Sequence, residues 1–174
     1  MGAGLVRSVR VIALLLTVGS VCAAGSARAA SAVIKVNAKP TKPLTLTSVQ
    51  DLDLGTIVLG AGTWSGAKVS ITQAGVFSCT SPNTTCTGVA QPAIYTVSGS
   101  NNEVVKITAP NVTLTNQADP TQTLVLTVDS PPAVTLATGG KKGTNFSVGG
   151  SLTLSSTTAG GLYTGTFDVT VDYN

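Results

Sequence analysis

Residues 161–174 read GLYTGTFDVTVDYN, and their pattern decides the fold. From Gly161 on, Tyr163, Gly165, Phe167, Val169, Val171 and Tyr173 fall on one side of the alternation. Thr164, Thr166, Asp168, Thr170 and Asp172 fall on the other. Successive side chains of a strand point to opposite faces, so the stretch predicts one β-strand with a buried and a wet face. Full burial of Phe167, Val169, Val171 and Tyr173 is worth at most about 6–12 kcal/mol, comparable to the net stability of a domain. The chain needs its last strand before it has a finished core.

Upstream of this stretch lie short strand-like runs: residues 32–36, 44–47, 52–59, 67–73, 93–98, 104–108, 112–115, 123–128 and 145–154, with 162–173 as the last. Gly60-Ala61-Gly62, Asp119-Pro120, Pro131-Pro132 and Gly160-Gly161 are among the turn signals between them. No window holds a helical period. This pattern predicts an all-β, antiparallel, immunoglobulin-like β-sandwich.

The first residues read as an export signal. Arg7 and Arg10 form a basic region, residues 11–18 (VIALLLTV) an apolar one, and Ala27-Arg28-Ala29 a small-x-small cleavage site. Residues 1–29 are therefore predicted to be a secretory signal peptide, with the mature chain starting at Ala30. The apolar run is too short to span a bilayer. The expected route crosses the inner membrane to the periplasm and ends at the cell surface or in the medium. Residues 30–43 then supply an N-terminal strand and the linker Lys39-Pro40-Thr41-Lys42-Pro43, which pairs poorly because of its prolines. Residues 44–174 form the sandwich.

Lysine and arginine total ten against seven acids, and the three arginines (Arg7, Arg10, Arg28) all lie in the signal segment, so seven lysines face seven acids in the rest. That balance offers no basic face to a nucleic acid. The chain has no histidine, which removes the usual general base and the usual metal ligand. No catalytic residue, metal ligand, cofactor or small-molecule substrate is predicted, and the chain is not read as an enzyme. Asp51 and Asp53, interleaved with Leu52 and Leu54, read as the wet face of a strand. Residues 139–144 (GGKKGT) lack phosphate-loop spacing and read as a hairpin tip. Trp64 reads as a cover for a sheet edge. Cys79 and Cys86, with six residues between them, predict a disulfide across a turn in an exported chain. Closing a loop of about eight residues contributes about 2.5 kcal/mol in the chain-entropy model.

The blocks PLTLTSVQDLDLGTIVLG, GAKVSITQAG, FSVGGSLTLSS and YTGTFDVTVDYN resemble the bacterial family called domain of unknown function 4402, over nearly the whole mature chain. That resemblance implies a small exported β domain. The last strand also resembles that of chaperone–usher pilus subunits: Tyr173 is next to last, Gly161 stands fourteenth from the end, and Phe167, Val169 and Val171 alternate between them. Such subunits carry an N-terminal extension that completes a neighbour's sheet. Here Ala32, Ile34, Val36 and Ala38 alternate after the cleavage site as a possible donor strand. The disulfide spacing departs from many of those subunits, in which the first strand is tied to its neighbour.

The resemblance implies a structural, pilin-like subunit of a bacterial surface fibre, assembled by donor-strand exchange. Its partners would be copies of itself or related subunits, a periplasmic chaperone and an outer-membrane usher. The alternative is a self-complete β-sandwich binding module for carbohydrate or surface adhesion, with Trp64 or the Cys79–Cys86 loop as its contact. The export signal carries its own test. Intact-mass measurement and N-terminal sequencing of protein from the periplasm should place the first residue at Ala30; a retained Met1 would remove the export reading.

Overall fold

An alternating sequence becomes a ladder only where a neighbouring edge exists to receive it, and this chain shows both outcomes. A computed structural model describes residues 32–137 and 143–174. By its contacts the chain divides into Met1–Ala38 and Lys39–Asn174. In the described part of the first unit, residues 32–38 carry no strand, and Val33, Ile34 and Val36 are exposed. The predicted strand at 32–36 is therefore absent: its alternation has no backbone partner, and an unpaired strand has nothing to hold it extended.

The second unit is all-β. In chain order its strands are β1 (Thr45–Gln50), β2 (Thr56–Leu59), β3 (Ala67–Ile71), β4 (Phe77–Cys79), β5 (Thr84–Thr87), β6 (Ala93–Ser98) and β7 (Val104–Thr108). They continue as β8 (Val112–Asn116), β9 (Thr123–Asp129), β10 (Ala133–Thr135), β11 (Thr144–Leu154), β12 (Tyr163–Thr164) and β13 (Thr170–Tyr173). Every pairing is antiparallel. One sheet runs β1-β6-β11-β9-β8-β12, with β3 joined to β11 and β4 to β3; a second runs β10-β7-β13, and β2 pairs with β5. The second unit is thus all-β and antiparallel, with its sheets packed in a sandwich-like arrangement.

Strand β11 is the hub. Its first half pairs with β6, and its second half lies between β3 and β9, with Gly150 opposite both Ile71 and Val128. Two cores follow from this. Ala93, Val97, Val105, Ile107, Phe146 and Val148 form one between β6–β11 and β7. Val69, Ile71, Val112, Leu126, Leu152 and Leu154 form the other, between β3–β11 and β8–β9. Leu52, Val128 and Phe167 pack against both.

Two predicted strands are split. The run at 52–59 yields only an Asp53–Gln91 bridge and then β2, because Gly55 between them has a φ of +72° and turns the backbone out of extension. The final run at 162–173 is not continuous: β12 pairs with β8 and β13 with β7. Thr164 faces Thr115 and Thr170 faces Thr108, so six steps on one strand meet seven on the other. The partner segment there is Ala109-Pro110-Asn111, and Pro110 has no N–H to give. Strands β4, β5 and β10 escaped the sequence reading, being three or four residues long with no apolar alternation to reveal them. Of the predicted hairpin tip, residues 139–142 lie outside the described residues, as does the signal segment.

The glycine pair of β11 makes its double pairing possible. A Cβ on Gly149 would collide with the carbonyl oxygen of Ile71 and stand 2.7 Å from the carbonyl carbon of Thr72, both backbone atoms. A Cβ on Gly150 would meet the Leu126 side chain at 3.0 Å and the Thr127 carbonyl oxygen at 3.3 Å, with no contact under 3.0 Å. Gly149→Ala should therefore cost more than about 3 kcal/mol, whereas Gly150→Ala should cost about 1 kcal/mol, read from urea unfolding. Equal losses would show that the β3–β11 contact does not set this requirement.

Candidate functional site

The two strands that begin and end the second unit do not meet along their whole length. Near Leu44 and Tyr173 they close over the first core, which both residues pack against. Farther along, residues 51–59 and residues 158–167 stand apart and form the two rims of a groove of about 840 Å³. Leu54, Leu114, Leu124, Leu126, Leu152 and Leu154 give it an aliphatic floor, while Asp51, Asp53 and several threonines line its rims. Strand β12 ends its sheet path, and β2 has β5 on one side; among the described residues neither has a strand on its other side. Both rims thus present backbone N–H and C=O groups without a ladder.

The last stretch is buried only in part. Tyr163, Phe167, Val169, Val171 and Tyr173 face inward as the alternation predicts, yet each is half-buried. The burial energy expected of this face is therefore incompletely realised. Gly165 is exposed and lies between β12 and β13. Gly161 precedes β12 with a φ of +143°, and a Cβ there would stand 2.7 Å from Oδ1 of the buried Asn116. Asn116 in turn donates through Nδ2 to the Gly160 carbonyl and accepts the Ala118 N–H, which fixes the start of this rim.

The exposed Asp51 and Asp53 belong to one rim of the groove, and the exposed Asp168 directly follows the other. Asp53 accepts the N–H of Gly55 at 2.8 Å, a turn contact. Burial, with the Asp51 and Asp168 carboxylates adding to it, pushes the Tyr95 phenol above its ordinary value. No group of three or more His, Cys, Asp or Glu able to hold a metal occurs among the described residues.

The linker is fastened at the other end of the sandwich. The Tyr173 hydroxyl donates to the Lys42 carbonyl at 2.6 Å and accepts the Ser100 N–H at 2.8 Å. The Lys42 N–H donates to Ser100 Oγ at 2.7 Å, and Lys39 pairs with Glu103 at 2.7 Å. The exposed ion pair contributes little; the hydroxyl contacts matter more. The penultimate tyrosine thus anchors the point at which the N-terminal extension leaves the domain.

Cys79 and Cys86 form the predicted disulfide. Trp64 is half-buried against the second core and donates Nε1–H to the Gly60 carbonyl, so its ring covers an edge. The sequence reading missed the groove floor and the rim at 51–59. The signal for that rim was present as Leu52, Leu54, Ile57 and Leu59, an inward alternation that shifts by one residue at Gly55.

A family model described as "Domain of unknown function (DUF4402)" matches residues 44–173. The chain belongs to this family. The DUF4402 match starts at Leu44, directly after the linker, and takes in both rims and the whole groove floor. The possible donor residues Ala32, Ile34, Val36 and Ala38 precede it. No curated protein and no solved structure matches the chain.

Within the DUF4402 domain, the Tyr173 anchor can be tested without disturbing packing. Tyr173→Phe keeps the ring and leaves the Ser100 N–H unpaired, which should cost about 1–3 kcal/mol in urea unfolding. Hydrogen exchange at Ser100 and Lys42 should quicken in the same variant. Unchanged exchange at both amides would show that the hydroxyl does not hold the linker.

Proposed function

We propose that this domain is a structural, non-enzymatic subunit of a bacterial surface fibre, and that its groove receives a β-strand from a second subunit. The single observation that carries this reading is an apolar groove whose two rims are unpaired strand edges. Such a groove is matched by an extended segment with alternating apolar residues: main-chain hydrogen bonds supply affinity and the alternate side chains supply fit. Ala32, Ile34, Val36 and Ala38 form such a segment, and Ile34 and Val36 are more than four-fifths exposed.

Chain direction supports donation to a neighbour. The linker leaves beside Tyr173, whereas the groove begins at Phe167 and extends away from that point to Gly161. From Tyr173 back to Phe167 is about 20 Å of strand, and residues 32–38 span about 23 Å when extended. A segment folding back from Lys39 would be used up near the mouth of its own groove. A segment entering a second copy antiparallel to β12 and β13 would place its linker at the far end of that copy. Repetition of this head-to-tail contact gives a fibre and not a closed ring. The extension and linker carry Lys35, Lys39 and Lys42 and no acid, opposite in sign to Asp51, Asp53 and Asp168 on or beside the rims. That complementarity favours encounter. Export to the periplasm, a chaperone that covers the open groove and an outer-membrane usher belong to the same proposal.

Protein from the cell surface should run as a ladder in detergent without heating, because a fully paired inserted strand leaves slowly. Deleting residues 30–38 should abolish the ladder, and added peptide of residues 31–38 should raise the thermal stability of the truncated protein. Ile34→Asp should act like the deletion, and Lys35→Ala should be nearly silent. A wild-type protein that stays monomeric at every concentration would overturn the proposal in favour of a self-complete binding module.

A further inference from the structure

We infer that the Cys79–Cys86 disulfide is the brace of the groove, so that the domain accepts a strand only after oxidation; this rests on the strand-acceptor reading above. The rim strand β2 has one ladder partner among the described residues, β5. A two-stranded ribbon is not stable by itself. Residue by residue, Cys86 of β5 is the register partner of Ile57, in the middle of the rim. Cys79 of β4 is the register partner of Val69, which is fully buried in β3. The disulfide therefore runs from β5, behind the middle of the rim, to β4 at an edge of the main sheet. Among the described residues it is the one covalent cross-link, beyond the chain's own backbone, between the β2–β5 ribbon and that sheet.

The backbone bonds at its two ends, between Asp53 and Gln91 and from the Gly60 N–H to the Asn83 carbonyl, extend the β2–β5 pairing itself and do not tie it to the main sheet. Leu54, just before β2, is buried in the second core. Ile57 and Leu59 reach the core only as half-buried side chains. The opposite rim is held differently, by β8 and by the buried Asn116. Loss of the disulfide thus releases one rim selectively and leaves the β6–β11–β9 ladder and both cores in place. A reduced subunit keeps its fold and loses the shape that a strand needs. In an oxidising compartment this couples cysteine pairing to readiness for assembly.

The test compares the full chain carrying Ile34→Asp and Val36→Asp, which cannot donate, with the same chain carrying Cys79→Ser and Cys86→Ser as well. The probe is a fluorescent peptide of residues 31–38. The serine variant should bind the peptide at least about tenfold more weakly. Backbone amides of β2 should exchange at least about tenfold faster in it, while those of β11 keep their protection. Equal peptide affinity in the two chains would overturn the brace and leave strand acceptance standing. Failure of the disulfide-bonded chain to bind the peptide at all would remove strand acceptance itself, and the brace with it. Uniform loss of protection, β11 included, would make the disulfide a global staple and also overturn the inference.

Discussion

The contact between β11 and the backbone of β3 is the constraint on which the rest of the molecule depends. At Gly149 the chain passes so close to the Ile71 carbonyl that no side chain fits. That approach lets one strand serve β6 with its first half and both β3 and β9 with its second. A single strand is then common to two cores, and the sheet keeps its continuity from one end of the domain to the other. With a side chain at this position the second half of β11 would be displaced from β3, and the floor of the groove, Leu152 and Leu154, would move with it.

From this shared strand the two cores develop unequally. The first is closed, because β7, β10 and β13 lie across β6 and β11, with Leu44 and Leu46 at its margin. Beside the second, no strand among the described residues bridges β2 and β12, so its leucines line an open groove. Pro110 contributes to the asymmetry. By interrupting the partner of the last strand it divides that strand into β12 and β13, and between them Phe167 reaches both cores. A half-buried apolar face with an unpaired backbone edge is unstable against aggregation until it is covered. On the proposal made above, the same physical deficit supplies the driving force for receiving a strand.

The attachments on the two sides of the domain serve different ends. Tyr173 ties the last strand to Lys42 and Ser100 and so fixes where the extension departs. The disulfide joins β5 to β4 at the opposite part of the molecule. One contact fixes where the extension departs, and the other ties the ribbon beside the groove to the main sheet. Neither uses a charged group in the interior, in keeping with a chain in which only a tenth of the residues are charged.

Composition and periodicity alone determined the all-β class, the positions of β6, β7 and β11, the cysteine pairing and the inward set Tyr163, Phe167, Val169, Val171 and Tyr173. These depend on local alternation, loop length and the chemistry of two nearby thiols, all of which a linear reading holds. Only the tertiary structure decided that the last run breaks opposite Pro110, since the interruption comes from a residue about sixty positions away that must first become its partner. The absence of a strand at 32–36 was likewise beyond a linear reading. Its alternation is as regular as that of β7, but a strand is a relation between two edges, and no sequence pattern states whether the second edge is present. The groove has the same origin: Leu54, Leu124 and Leu154 look like ordinary core positions until the space between two distant strands is found to be empty of a third.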